Sequence, residues 1–311
     1  MAGSIKAAEV SGPQLGKFSY FKFNPAVHSR EKPYEILINL PPRAPGEPLI
    51  RRHNQEFEDH HVTVNDMRGR EDSFSLDENG FCWKIWEGPS EWKEMDAKGV
   101  KNLSDNDIQR GYILEAEQYL KEELERQDGR EVDIVRVFDY RLREYLDPES
   151  FQSRTLDLDD GRDPLLPVPH PHVDQTRQGA TLRVKDSMPD QADDLLGRRF
   201  RIVNLWRPLK TVRNWPLAIC DSKSVDVADL VPNDLVRRRY VGESYYATFN
   251  TNHRWCYLSS QKTNEVTLLK IFDSDPQAPT QFSLHSSFGL EVQDQSRESF
   301  EIRALVFDKP N

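Results

Sequence analysis

The chain of 311 residues has a formal net charge of −10, with 37% hydrophobic and 10% aromatic residues. That composition supports a real core and excludes global disorder, while the acidic balance argues against nucleic acid or an anionic membrane surface as the main partner. Cys82, Cys220 and Cys256 are too widely spaced for a zinc or disulfide framework, and no stretch resembles a signal peptide or a bilayer span, so a cytoplasmic protein is expected.

One domain, 1–311, is expected. Residues 1–33 are polar and interrupted and read as an arm laid over the body. N-terminal strands and a buttressing helix should occupy 34–150, and a strand-rich core 151–311. A short strand over 34–40 is stopped by Pro41-Pro42, and 43–54 reads as a loop. Val62 and Val64 alternate in a strand over 61–65. The adjacent pair His60-His61 would face opposite sides of that strand, which argues against a metal cluster there. Asn79-Gly80 is a hairpin signal before the aromatic strand beginning at Phe81.

The clearest helix starts at Ser104, with Asp107 three residues on as in a capping box, and runs to about Gln127. Ile108, Tyr112, Ala116, Tyr119, Leu120 and Leu124 form its apolar stripe. A strand over 132–138 follows the Asp128-Gly129 turn. Residues 151–166 are acidic and punctuated by proline, an exposed loop able to act as a lid. Strand-like runs then occupy 180–184, 200–206, 244–249, 254–258, 266–272, 281–285 and 299–307. A short helix is expected over 186–196 and a helix or irregular excursion over 216–239. Many short strands with few helices imply a mainly β sandwich, jelly roll or barrel.

The stretch that organises the chemistry is 168–176, Val-Pro-His-Pro-His-Val-Asp-Gln-Thr. On a strand, His172 and Asp174 point to one face and supply two-thirds of a facial triad, the ligand set that holds Fe(II) with open positions. A jelly roll places the third ligand on a late strand, and His285 fits. His253 is a rival in a turn-like segment, and His170-Pro-His172 is a cupin-type alternative. A 2-oxo acid could chelate two of the open positions and O2 take the last. Its distal carboxylate needs a cation with a planar two-point grip. Arg297-Glu-Ser299, at the head of the final strand, matches the Arg-x-Ser element of 2-oxoglutarate oxygenases, with Arg303 as second candidate. Asn204, which shares a face with Trp206, and Lys270, embedded in an apolar run, are further candidates for co-substrate contact. Tyr257 is similar.

Three stretches, at 172–176, 202–209 and 297–307, together resemble the AsaB-like hydroxylase/desaturase family, largely fungal proteins of secondary metabolism. The likeness extends over nearly the whole chain from Tyr34, although Leu258-Ser259 and Leu284 depart from the family pattern. It implies a double-stranded β-helix core and non-haem Fe(II), 2-oxoglutarate-dependent chemistry with O2. His172, Asp174 and His285 would then hold the metal, and Arg297 and Ser299 the co-substrate. A small-molecule substrate is the expected partner, with a homodimer left open. Two readings stay beside this one: a cupin-like metalloenzyme that needs no 2-oxo acid, and a non-catalytic jelly-roll binding module.

Overall fold

The computed structural model describes residues 11–38, 46, 48–146, 149, 151, 156–238, 240–292 and 296–310. Two sheets face one another. The larger has the order β1 (Gln14–Phe21), β3 (Phe57–Asp66), β11 (Trp255–Tyr257), β8 (Leu217–Cys220), β13 (His285–Ser287), β6 (His172–Val173), β10 (Val241–Ala247), β9 (Leu230–Val236) and β2 (Tyr34–Ile36). The smaller has the order β4 (Phe81–Ile85), β12 (Glu265–Asp273), β7 (Phe200–Pro208), β14 (Glu298–Asp308) and β5 (Val132–Glu144). Most neighbours are antiparallel and distant in sequence, which is the connectivity of a jelly roll and agrees with the expected double-stranded β-helix.

The two-residue period of the strands sorts side chains between two cores. In β7, Phe200, Ile202 and Trp206 pack between the sheets, while Val203 and Leu205 turn outward. In β14, Leu305 and Phe307 point in, and Ile302, Ala304 and Val306 point out. Both faces are buried, so these strands read as nearly unbroken apolar runs. The exceptions on their inward positions are Asn204, Ser299, Glu301 and Arg303, and they gather at one place.

The outer core is roofed by helix α1. Ser104 and Asp107 form the expected capping box at Asp105–Ile108, and a wider π turn at Gln109–Ile113 leads into Leu114–Asp128. Gly129, at φ 65°, ends it. Ile108, Tyr112, Ala116, Leu120 and Leu124 are buried against Val203, Phe300 and Ile302. Full burial of each larger aliphatic side chain contributes about 1.5–3 kcal/mol, so packing rather than propensity fixes this helix.

Several local expectations need correction. Residues 180–184 are helical. The Thr176 side chain accepts from the Gly179 N–H and starts α2 (Arg177–Ser187), in which Ala180 and Val184 are buried four residues apart. Five residues are too short a window to separate alternation from helical spacing. The expected helix over 186–196 is realised as α3 (Ala192–Leu196). Residues 216–239 hold β8 and β9 joined by two short 3-10 turns, because the run Leu217–Cys220 is buried on both faces and carries no period. Asn79-Gly80 closes a one-turn helix, Leu76–Asn79, with Ser75 as its cap and Gly80 at φ 86°. The run at 281–285 becomes strand only at His285.

From Gln14 the expected arm is strand β1, paired with β3 along its length and burying Phe18 and Tyr20; its residues 1–10 lie outside the described residues, as do 39–45 of the following strand and loop. Over 156–166 the expected exposed loop is clasped to β5. The Leu142 N–H donates to the Gly161 carbonyl at 2.8 Å, and Arg141 donates to the carbonyls of Asp160 and Leu158 at 2.7 and 3.0 Å. No helix among the described residues is long and apolar enough to cross a membrane.

Candidate metal centre

His172 and His285 are cross-strand partners on β6 and β13, so their rings lie on one face with centroids 4.3 Å apart. Asp174 follows β6 by one residue and turns its carboxylate toward both rings. Its Oδ1 lies 3.5 Å from His172 Nε2 and 4.0 Å from His285 Nε2. Among the described residues this is the one group of three such side chains whose ligand atoms converge, all within 4.8 Å of one another.

Proline positions His172. Pro167, Pro169 and Pro171 have no N–H to satisfy, while the neighbouring carbonyls are used. Val168 accepts from the Ser287 N–H at 2.8 Å, Pro169 from Ser19 at 3.0 Å and Pro171 from Ala247 at 3.0 Å. The segment thus bridges β13, β1 and β10 and delivers His172 between them. Immediately after Asp174, the cap of α2 at Thr176 ends the extended chain.

The donor set fits a divalent transition metal. Each histidine has Nδ1 against a backbone carbonyl two residues earlier: His172 to His170 at 2.7 Å and His285 to Ser283 at 3.1 Å. Those contacts place the ring proton on Nδ1 and leave the Nε2 lone pairs aimed at Asp174. Burial, together with neighbouring His172, pushes the His285 imidazolium down to about 3, so that ring is neutral. Burial alone would raise the Asp174 carboxyl, yet the Arg303 guanidinium holds it well below the carboxylate range. Two imidazoles and one carboxylate are the ligand types of a facial triad, the set suited to Fe(II) with open positions.

Behind Asp174 stands an ion cluster. Arg303 donates from Nε to Asp174 at 3.0 Å, from Nη1 to Asp139 at 2.7 Å and from Nη2 to Glu301 at 2.9 Å. Asn204, opposite Arg303 in register, donates to Asp174 at 2.7 Å and to Glu301 at 3.1 Å. Both residues orient the carboxylate. Arg303 is not free to grip a co-substrate, because three carboxylates already occupy it, and the Asn204 amide N–H donors are spent on Asp174 and Glu301.

Arg297 differs. It is buried, and among the described residues its donors meet only hydroxyls, Ser287 at 3.0 Å and Ser299 at 3.2 Å, while its Nε has no partner there. Its guanidinium lies 5.3 Å from the Trp206 ring centroid. Burial, with Arg143 nearby, lowers it to about 9. Arg297 and Trp206 line a small cavity of about 20 Å³ together with His172, His285, Arg143 and Glu301.

Other expected site residues lie elsewhere. Lys270 is a correction: its register partner is outward-facing Val203, and its ammonium is neutralised by Asp77 and by Asp273 at 3.0 Å. His170 stacks on Phe57 with centroids 3.9 Å apart and stays outside the converging group. His253 pairs with Asp229 at 3.2 Å, and His60 stacks on Phe249. Tyr257 donates to the Gly12 carbonyl at 2.8 Å. Sequence reasoning missed Asp139, Arg143, Ser287 and Glu301. The signal for two of them was present: Asp139, Arg141 and Arg143 alternate beyond the point where the apolar pattern of β5 ends.

A family model described as oxidoreductase/YMDC permease-like domain matches residues 18–307. The hydroxylase/desaturase efuI of Hormonema carpetanum is 32% identical over 79% of this chain and 83% of its own. The alpha-ketoglutarate-dependent dioxygenase tstK of Talaromyces stipitatus is 29% identical over 79% of this chain and 84% of its own. Among solved structures, the iron and alpha-ketoglutarate-dependent endoperoxidase NvfI superposes with a TM-score of 0.72, covering 96% of this chain and 99% of that one. At 23% identity this last likeness speaks for the fold alone.

Proposed function

This chain belongs to the AsaB-like hydroxylase/desaturase family of non-haem Fe(II)- and 2-oxoglutarate-dependent oxygenases, and from that premise we propose that it oxidises an unactivated C–H bond of a small secondary-metabolite intermediate. Hydroxylation, desaturation and oxidative cyclisation all fit. The observation that carries the reading is a converging His-Asp-His group beside a buried guanidinium that lacks a carboxylate partner among the described residues.

His172, Asp174 and His285 would hold the metal, and Arg297 with Ser299 the distal carboxylate of 2-oxoglutarate. When bound, Fe(II) with 2-oxoglutarate and O2 supplies the oxidising power, and the co-substrate leaves as succinate and CO2. The chain's own residues prepare the site. The Nδ1 contacts fix the imidazole tautomers, and Arg303 and Asn204 keep the Asp174 carboxylate charged and oriented. The cupin-like reading is disfavoured because His170 is engaged with Phe57 and the Ser19 carbonyl. A purely structural role for the histidines leaves their convergence on Asp174 without a purpose. All three cysteines are buried and unpaired, which suits a reducing compartment and supports a cytoplasmic location.

The test is succinate formation from 2-oxoglutarate with added Fe(II). His172→Ala and Asp174→Ala should abolish it, and retained turnover in both would refute the assignment. Arg297→Gln should raise the 2-oxoglutarate dissociation constant at least thirtyfold, the order expected for a lost buried charge-assisted pair. If that constant stays unchanged, Arg297 is not the anchor.

A further inference from the structure

The cavity lining itself holds more guanidiniums than carboxylates. Arg143, Arg297 and Arg303 line it, against the single lining carboxylate Glu301. Arg303 is compensated by Asp174, Asp139 and Glu301. Glu301 is itself fully engaged, one oxygen by Arg303 and the other by Asn204. Arg297 and Arg143 therefore face the same space with no direct ion-pair partner among the described residues, and they reach it from different sides.

Arg143 is placed for a different ligand group. It sits on β5 opposite Ser299 of β14, so it reaches the cavity from the β5 side. Arg297 approaches from the β7 side, over Trp206. Among the described residues the Arg143 guanidinium is tethered by a single hydrogen bond, from Nη1 to the Leu166 carbonyl at 2.9 Å. Its Nε and Nη2, which form one edge of the guanidinium fork, have no protein partner among the described residues. Its neighbour Arg141, two residues earlier on the same face, has two carbonyl partners and serves the 156–166 clasp. Beside the metal ligands, Tyr246 is the register partner of His172, with ring centroids 6.4 Å apart.

We infer that Arg143 is a specificity-determining residue that binds a carboxylate of the substrate, and that the substrate class is accordingly an organic acid. A planar carboxylate matches the two parallel donors left on one edge of the fork, where a neutral oxygen would leave the charge without an offset. This inference rests on the oxygenase reading, in which Arg297 is taken by 2-oxoglutarate.

The test uses sodium acetate as the smallest carboxylate probe, titrated calorimetrically into anaerobic protein holding Fe(II) and saturating 2-oxoglutarate. Wild type should bind acetate at one site. Arg143→Gln should weaken that binding at least tenfold, and Arg143→Lys, which keeps charge but loses the fork, by an intermediate factor. The 2-oxoglutarate dissociation constant should move less than threefold in either variant. Absence of acetate binding to the wild type overturns the inference. So does an Arg143→Gln variant that weakens 2-oxoglutarate as much as Arg297→Gln does, since Arg143 would then belong to the co-substrate. If Arg143→Gln does not fold, the Arg143→Lys titration decides: acetate affinity equal to wild type refutes the role. Failure of 2-oxoglutarate to bind the Fe(II) protein would instead sink the oxygenase reading, and acetate titration without it would still decide for or against an anionic subsite at Arg143.

Discussion

Asp174 shows how one buried carboxylate can be kept charged and oriented. Burial opposes its charge, and Arg303 and Asn204 restore it through hydrogen bonds of 3.0 and 2.7 Å to Oδ2, leaving Oδ1 turned toward the histidines. Groups that orient a ligand in this way are typically worth 10–100-fold in metal affinity or activity. Asn204→Ala should therefore weaken Fe(II) binding by about 10–100-fold with little loss of fold, as measured by metal titration beside a thermal melt; an unchanged affinity would reduce Asn204 to a packing residue. At this scale the triad was legible in the sequence, because histidine and aspartate two apart carry their own geometry. Arg303 was read as a co-substrate anchor only because its partner Asp139 lies more than 160 residues away, and cross-strand pairing is invisible without register.

Among the elements, long alternating or helical runs were readable and short ones were not. Helix α1 announced itself by cap and stripe, whereas α2 passed for a strand and β8 for part of a helix, since four or five buried residues show no period. β1 was misjudged as an arm because only alternate residues of its polar sequence are buried. Its role can be tested through His253, which stacks on Tyr20 of β1 and pairs with Asp229. Burial lowers the His253 pKa in the folded chain, against the pull of Asp229. Above about pH 6.5 the ring is neutral in both folded and unfolded states. Below it the unfolded chain takes up the proton first, so stability declines as pH falls. The urea midpoint should drop between pH 7.5 and 5.5, and His253→Gln should shrink that drop. An identical drop in the variant would remove His253 from the acid response.

Across the whole molecule, the five-stranded sheet separates two kinds of polar cluster. Its inward face carries the site, and its outer side and edge carry the Lys270, Asp77, Asp273 and Arg199 network. The apolar setting of Lys270 did signal a buried charge, but only register shows which side of the sheet it occupies. Removing one partner from such a buried cluster leaves unpaired charge, commonly a loss of 3–5 kcal/mol. Lys270→Met should lower unfolding stability by about 3 kcal/mol while leaving the 2-oxoglutarate dissociation constant unchanged; a large change in that constant would put Lys270 back in the site.

All of this converges on one claim, that His172, Asp174 and His285 bind Fe(II) in a position where 2-oxoglutarate can chelate it. The most direct measurement is the visible absorption of the Fe(II)-loaded protein as 2-oxoglutarate is added without oxygen. A saturable charge-transfer band should develop in the wild type and be lost in the His172→Ala, Asp174→Ala double variant. No band in the wild type, or an undiminished band in the double variant, would contradict the assignment.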